Sequence, residues 1–200
     1  MALSFKVDRP VAIRGLEKRL IRTLETVGGY GVFDCFLHRC LLWQRSGDTL
    51  ARISFSKYRY RSIPSWSWMA FDGGIRYMDV PGGEVSWAKD IPSPFKAGNV
   101  ETGIEGQPHL EIEAPVFDIV EGEARGLIFD EPSRRLVGPT KCVIIGSNDE
   151  MKVNENGLNY ILIVTSTNED AMGVYERVGV GVLENRQIVL DQPGATVRIR

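Results

Sequence analysis

The sequence predicts an α+β fold that is mostly β: an antiparallel β-barrel or sandwich with a helical N-terminal portion. Three observations carry this. Apolar residues at three- and four-residue spacing are confined to residues 1–45. From Arg52 onward short runs alternate or are β-branched. Turn chemistry separates those runs, with no room for long helices between them. The chain reads as a single domain over 1–200, with a helical portion at 1–45 and a β-rich body at 50–200.

The elements follow in order. Residues 8–27 read as a helix, with Asp8 as N-cap and Pro10 in the first turn, where its missing N–H costs nothing. Ile13, Leu16, Leu20, Leu24 and Val27 form its apolar stripe, Arg14, Lys18 and Arg22 another face, and Gly28-Gly29 its end. A second short helix is expected over 32–42, with Phe33, Phe36, Leu37 and Leu41 on its apolar side. Pro64 to Gly74 reads as a strand of period two: Trp66, Trp68 and Ala70 on one side, Ser65, Ser67 and Met69 on the other. Further strands are expected at 53–55, 58–61, 110–113, 126–129, 142–145, 160–164, 174–183 and 196–199. Turns at Glu131-Pro132-Ser133, Gly138-Pro139, Asn156-Gly157 and Gln192-Pro193-Gly194 separate the later ones. Residues 81–108, rich in Pro and Gly, read as a long loop: a lid, a partner-binding excursion or plain surface covering.

Composition narrows the function classes. With 24 basic and 26 acidic side chains the net charge is −2, which gives no global field toward nucleic acid or an anionic membrane. No apolar run approaches the roughly 20 residues that span a bilayer, and the N-terminus lacks a signal-peptide core. Three cysteines, an odd number, suit reduced thiols and a cytoplasmic location.

Constellations of reactive residues are sparse. Cys35, His38 and Cys40 suggest a metal cluster, but on a helix Cys40 points about 140° away from Cys35. Zinc also needs a fourth ligand, so neither a metal nor a cofactor is expected. No serine sits in Gly-x-Ser-x-Gly; Cys35 or Cys142 with His109 is the remaining nucleophile pairing, and catalytic residues stay unknown. Gly29-x-Gly31 lacks the strand and third glycine of a dinucleotide loop and reads as a helix-ending turn. Glu111 and Glu113 alternate with Leu110 and Ile112, which puts them on a solvated strand face; Glu121 and Glu123 form a second pair. Lys57, Arg59 and Arg61 face one side of a strand, Tyr58 and Tyr60 the other, so cations and stacking rings are separated. That suits an aggregation-blocking basic edge, or an anionic small molecule or acidic partner, better than nucleic acid. Trp66 and Trp68 are either core residues or the lining of a ligand cavity.

Pro64-Ser65-Trp66-Ser67-Trp68, an acidic-glycine turn at Asp72-Gly73-Gly74 and the strand with Ile75 and Tyr77 resemble a region of the fungal heterokaryon-incompatibility (HET-domain) proteins that lies downstream of the HET domain. Leu3-Ser4-Phe5 with Asp8 to Leu16 is similar to the segment joining that domain to this region. Tyr30-Gly31-Val32-Phe33 with Leu41-Leu42-Trp43, and Tyr175 to Gly181, resemble its later elements. The core of the HET domain, Tyr-x-x-Leu-Ser-Tyr-x-Trp-Gly, has no match here, so no functional residue is carried over from it. The resemblance implies a non-catalytic accessory or regulatory region linked to self/non-self recognition and cell-death control. Its partner would be another protein or the missing N-terminal HET domain. An abrupt start at that junction suggests a fragment, and Val11, Ile13 or Leu20 is then expected to be exposed. The rival reading is a stand-alone small-molecule hydrolase, isomerase or cyclase with a β-enclosed cavity. Its candidate ligand-binding residues are Trp66, Trp68, Arg59, Asp72, Tyr77 and Arg177.

Overall fold

The computed structural model describes residues 9–48, 50–55, 63–82, 85–95, 101–102, 108–120, 126–132, 139–148, 154–167 and 173–200. Helix α1 spans Arg9–Thr23, followed by β1 (Gly28–Gly29), β2 (Val32–Phe33), α2 (Leu37–Leu41), β3 (Trp43–Arg45), β4 (Ala51–Arg52), β5 (Phe71–Asp72), β6 (Ile75–Tyr77) and β7 (Ser86–Trp87). The remainder is β8 (Glu101–Thr102), β9 (Pro108–His109), β10 (Ile112–Asp118), β11 (Leu127–Phe129), β12 (Thr140–Ser147), β13 (Leu158–Ser166), β14 (Val174–Glu184) and β15 (Ala195–Ile199). Single 3-10 turns sit at Asp34–Phe36, Trp68–Ala70 and Asn185–Gln187. The α+β, mostly β class is therefore the one observed. No described helix is long and apolar enough to cross a membrane.

Strands β10, β15, β14, β13 and β12 pair in that order, and β10 also pairs with β12, so the five close into a ring. Of the two architectures left open by the sequence, the barrel is the one formed. Its ladders are antiparallel except for a short parallel pairing of β14 with β15 at Val174↔Arg198 and Tyr175↔Ile199. Every ring strand contributes to one apolar cluster, through residues such as Ala114, Val143, Leu162, Val180 and Val197. A face on which all strands of a ring meet is its inside. The other face of β12 and β13, with Cys142, Ile144, Ile161 and Ile163, is covered by Leu127, Phe129 and Ile188. Burial on both faces is why these two strands are continuous apolar runs. The N-terminal portion joins the inner cluster through Leu41, Leu42 and Trp66.

Several elements differ from expectation. Helix α1 ends at Thr23, because Gly28-Gly29 enter a hairpin instead of capping the helix. Its centre, Tyr30-Gly31, has φ of 55° and 76°, positive at both positions as a type I′ turn requires. That turn draws Val32-Phe33 into β2 and shortens the second helix to Leu37–Leu41 after one 3-10 turn. Gly29-x-Gly31 is thus hairpin, not a helix end. The strand expected at 110–113 lies at Ile112–Asp118; Ile53 to Phe55 is irregular, though Ile53 and Phe55 are buried. The long loop of 81–108 contains the paired strands β7 and β8 and the start of β9. The segments 58–61 and 121–125, with the basic-aromatic strand and the second glutamate pair, lie outside the described residues, as do Asp8 and the side chain of His109.

The largest correction concerns the paired tryptophans. Residues 64–70 are a turn leading into a 3-10 helix, not a strand, so Trp66 and Trp68 do not share a strand face. Trp66 is fully buried and Trp68 half-buried. The serines at alternate positions imitated a period of two, while their hydroxyls were committed to turn bonds. Ser67 caps the 3-10 turn by accepting from the Met69 N–H at 3.1 Å.

Candidate functional site

The candidate residues gather around a side chain that sequence reasoning passed over, Trp43. Ser65, Trp66, Ser67 and Trp68 each have an anchoring contact there or nearby. The Ser65 hydroxyl donates to the Arg200 carbonyl and accepts from the Arg177 N–H at 2.9 Å, which ties the turn to the first part of β14 and the end of β15. Trp66 lies in the inner core, with Tyr30 and Phe95 edge-on to it at 6.3 Å each. Its carbonyl accepts from Trp43 Nε1 at 2.9 Å, and its own indole N–H has no partner among the described residues. Ser67 donates to the Tyr30 carbonyl at 2.7 Å. Trp68 donates through Nε1 to the Gly31 carbonyl at 3.4 Å, and Arg9 lies 5.6 Å over its ring. Gly31 has no substitute here, since a Cβ would overlap that indole.

Arg177 is the centre of the group and is completely buried. Nε donates to Asp130 Oδ2 at 3.0 Å and Nη2 to Asp130 Oδ1 at 3.2 Å, a bidentate pair. Nη1 donates to the Leu41 carbonyl at 2.6 Å, and Nη2 also reaches the Trp43 carbonyl. The guanidinium lies 3.4 Å over the Trp43 ring. Desolvation pushes the Asp130 carboxyl up and the Arg177 guanidinium down, and each charge opposes the other's shift. Arginine keeps its proton in proteins, so the two form a buried ion pair. A guanidinium bonded at all three nitrogens and closed to solvent serves as a structural clasp. It fastens β3 and the end of α2 to β14 and to the segment after β11.

Around this centre the other candidates take different places. Tyr77 on β6 is the register partner of Trp43 and is 48% exposed. Asp72 on β5 is half-buried opposite Ala51; its neighbour Phe71 packs on Trp43 at 5.3 Å. Arg59 lies outside the described residues. Trp66, Tyr77 and Arg177 therefore converge on Trp43, while Trp68 and Asp72 flank the group. Asp130 was missed because it precedes Glu131-Pro132 and looks like a turn residue. The sequence carries little sign of the pairing, because Glu176 stands beside Arg177 in β14 and is the more obvious partner, while Asp130 lies on another segment.

The cysteine-histidine group does not assemble. Cys35 is exposed, Cys40 is buried, and His38 Nε2 bonds the Ala88 carbonyl at 2.8 Å. Among the described residues no three His, Cys, Asp or Glu side chains could share a metal ion. Burial holds His38 below the ordinary histidine range, against the opposing effects of the Ala88 carbonyl, Asp34 and Asp90. Glu113 is exposed, as a solvated strand face requires, and Glu111 pairs with Arg198 at 3.4 Å.

Helix α1 presents the other notable surface. It is fixed along one row: Arg9 donates to the Phe71 carbonyl, Ile13 packs on the second core cluster, and Glu17 accepts the Gly31 N–H at 2.8 Å. A neighbouring row is more open to solvent, with Leu16 58% and Leu24 38% exposed and Leu20 half-buried between them. Val27 (46%) and Phe36 (49%) continue it, brought to one corner by the Asp34 N–H to Val27 carbonyl bond of 2.9 Å. Of the residues expected to be exposed, Val11 is, at 58%, while Ile13 and Leu20 are partly covered.

Compared with protein-family models, curated proteins and solved structures, the chain matches none.

Proposed function

We propose that this chain is a non-catalytic accessory or regulatory region of a HET-type protein, acting in the cytoplasm in fungal self/non-self recognition and cell-death control. It works through contact with a protein partner, the HET domain first among them. The supporting observation is the apolar row of exposed Leu16 and Leu24 with partly covered Leu20 between them, and exposed Val27 and Phe36 at its end. Apolar surface with a charged neighbour at its edge, here Arg19, is the form that protein contact sites take. The rival enzyme reading needs a cavity inside the β body. The ring interior is instead filled by residues such as Ala114, Val143, Leu162 and Val180, each 0% exposed, and Arg177 has no donor facing open space.

The test is a binding experiment with purified chain and a HET domain from the same genome, read by light scattering after size exclusion. A one-to-one complex is expected. Leu16→Ser with Phe36→Ser should abolish it and leave the melting curve unchanged. Failure of the wild-type chain to form the complex, together with unaltered cell death when it is co-expressed with that domain, sinks the proposal.

A further inference from the structure

Two strands share one edge of β12. Strand β10 holds its beginning, through Phe117↔Cys142 and Asp118↔Lys141, and β7 holds its end, through Gly146↔Trp87 and Ser147↔Ser86. Where β10 and β7 part they leave a cleft of about 340 Å³, open to solvent. Pro115 and Phe117 form one wall, Trp87 the other, and Gly146 part of the floor. Lys89 and Asp90 stand at the rim on the Trp87 side.

The apolar wall is built, not incidental. His38 stacks on Trp87 at 5.7 Å and 24°, and Arg39 lies 5.2 Å from the ring centre. The His38 bond to the Ala88 carbonyl fixes the following backbone, which in turn donates from the Ala88 N–H to Ile145 at 3.0 Å. Gly146 lets the indole lie against the strand, because a Cβ there would come within 2.8 Å of the ring. Lys89 and Asp90, by contrast, are exposed; Asp90 acts on His38 at a distance, and neither side chain has a hydrogen bond or salt bridge with another described residue.

We propose that this cleft binds a small zwitterion with an apolar body, an α-amino acid with a large side chain such as phenylalanine. The side chain enters between Phe117 and Trp87, the carboxylate meets Lys89 and the ammonium meets Asp90. The volume is at the lower end of the range that small-molecule sites occupy, which suits a ligand of this size. Lys89 and Asp90 place opposite charges at one rim, which a ligand carrying both charges matches. Exposed ion pairs add little, so the affinity is set in the millimolar range. This site is separate from the α1 surface and stands or falls independently of it.

The experiment is an NMR titration of the full chain with L-phenylalanine, and with phenethylamine, 3-phenylpropionate and glucose as probes lacking one or both charges. Saturable amide shifts are expected at 86–90 and 144–147 with L-phenylalanine, and binding of each single-charge analogue should be weaker by about two- to five-fold. Lys89→Met should erase the preference over phenethylamine, and Asp90→Asn the preference over 3-phenylpropionate, with the fold of both variants unchanged. The proposal is overturned if L-phenylalanine gives no saturable shift at tens of millimolar. It is equally overturned if glucose or either analogue binds as tightly.

Discussion

The molecule holds the combination of tryptophan, cation and carboxylate twice, once sealed and once open. At the sealed place Arg177 lies 3.4 Å over Trp43 and grips Asp130, with side-chain exposures of 0% and 2% for the ion pair. At the open one Arg39 lies 5.2 Å from Trp87, and Lys89 and Asp90 stand in water beside it. The residue types are alike and the consequences opposite. In the sealed centre desolvation makes every unbonded group costly, so the donors of Arg177 are committed to Asp130 and to the Leu41 and Trp43 carbonyls. In the cleft water meets the same need at little cost, and the charges stay available to a newcomer. Exposure, more than residue identity, separates a structural clasp from a binding surface.

Substitutions should divide along that line. Arg177→Met orphans a buried carboxylate and is expected to lower stability by about 3–5 kcal/mol in urea unfolding, whereas Lys89→Met should stay within about 0.5 kcal/mol. Trp66→Ala removes a fully buried indole from the inner core and should cost about 3–5 kcal/mol. Trp68→Ala, half-buried, should cost clearly less; equal losses would mean that the two rings are packed alike. A milder effect is expected from Ser67→Ala, about 1 kcal/mol, from the lost 3-10 cap and the lost bond to the Tyr30 carbonyl.

The smallest effect concerns pH and the brace behind Trp87. His38 has its pKa lowered by burial, so the unfolded chain takes up the proton more readily than the folded one. Its contribution is therefore complete above the ordinary histidine value of about 6.5 and is lost as pH falls through the lower folded value. Urea midpoints should drop across that window. His38→Gln keeps a donor for the Ala88 carbonyl and should flatten the drop; an unchanged slope would assign it to other groups.

The contrast also explains what could be read from the sequence. Strands β12, β13 and β14 were legible because burial on both faces wrote long apolar, β-branched runs into the chain. Helix α1 was legible from its stripe. The Pro64–Ala70 turn was not, because its structure depends on serine hydroxyls bonding the backbone of Tyr30 and Arg200, far away in sequence. Arg177 reads from the sequence as a candidate ligand-binding residue, because its partner lies 47 residues earlier in what looks like a turn. The cleft left no mark, since it arises where two strands diverge along a third. Short-range chemistry was visible; long-range pairing was not.

A double-mutant cycle on Arg177 and Asp130 tests the central claim most directly. Arg177→Met and Asp130→Leu are measured singly and together by urea unfolding of the full chain. If the pair is a sealed clasp, each single change leaves one buried charge without its partner and costs about 3–5 kcal/mol. The double variant, with neither charge left to desolvate, should then lose far less than the sum of the two. Additive losses, or single losses under about 0.5 kcal/mol, would contradict the account and return Arg177 to the list of residues free to bind a ligand.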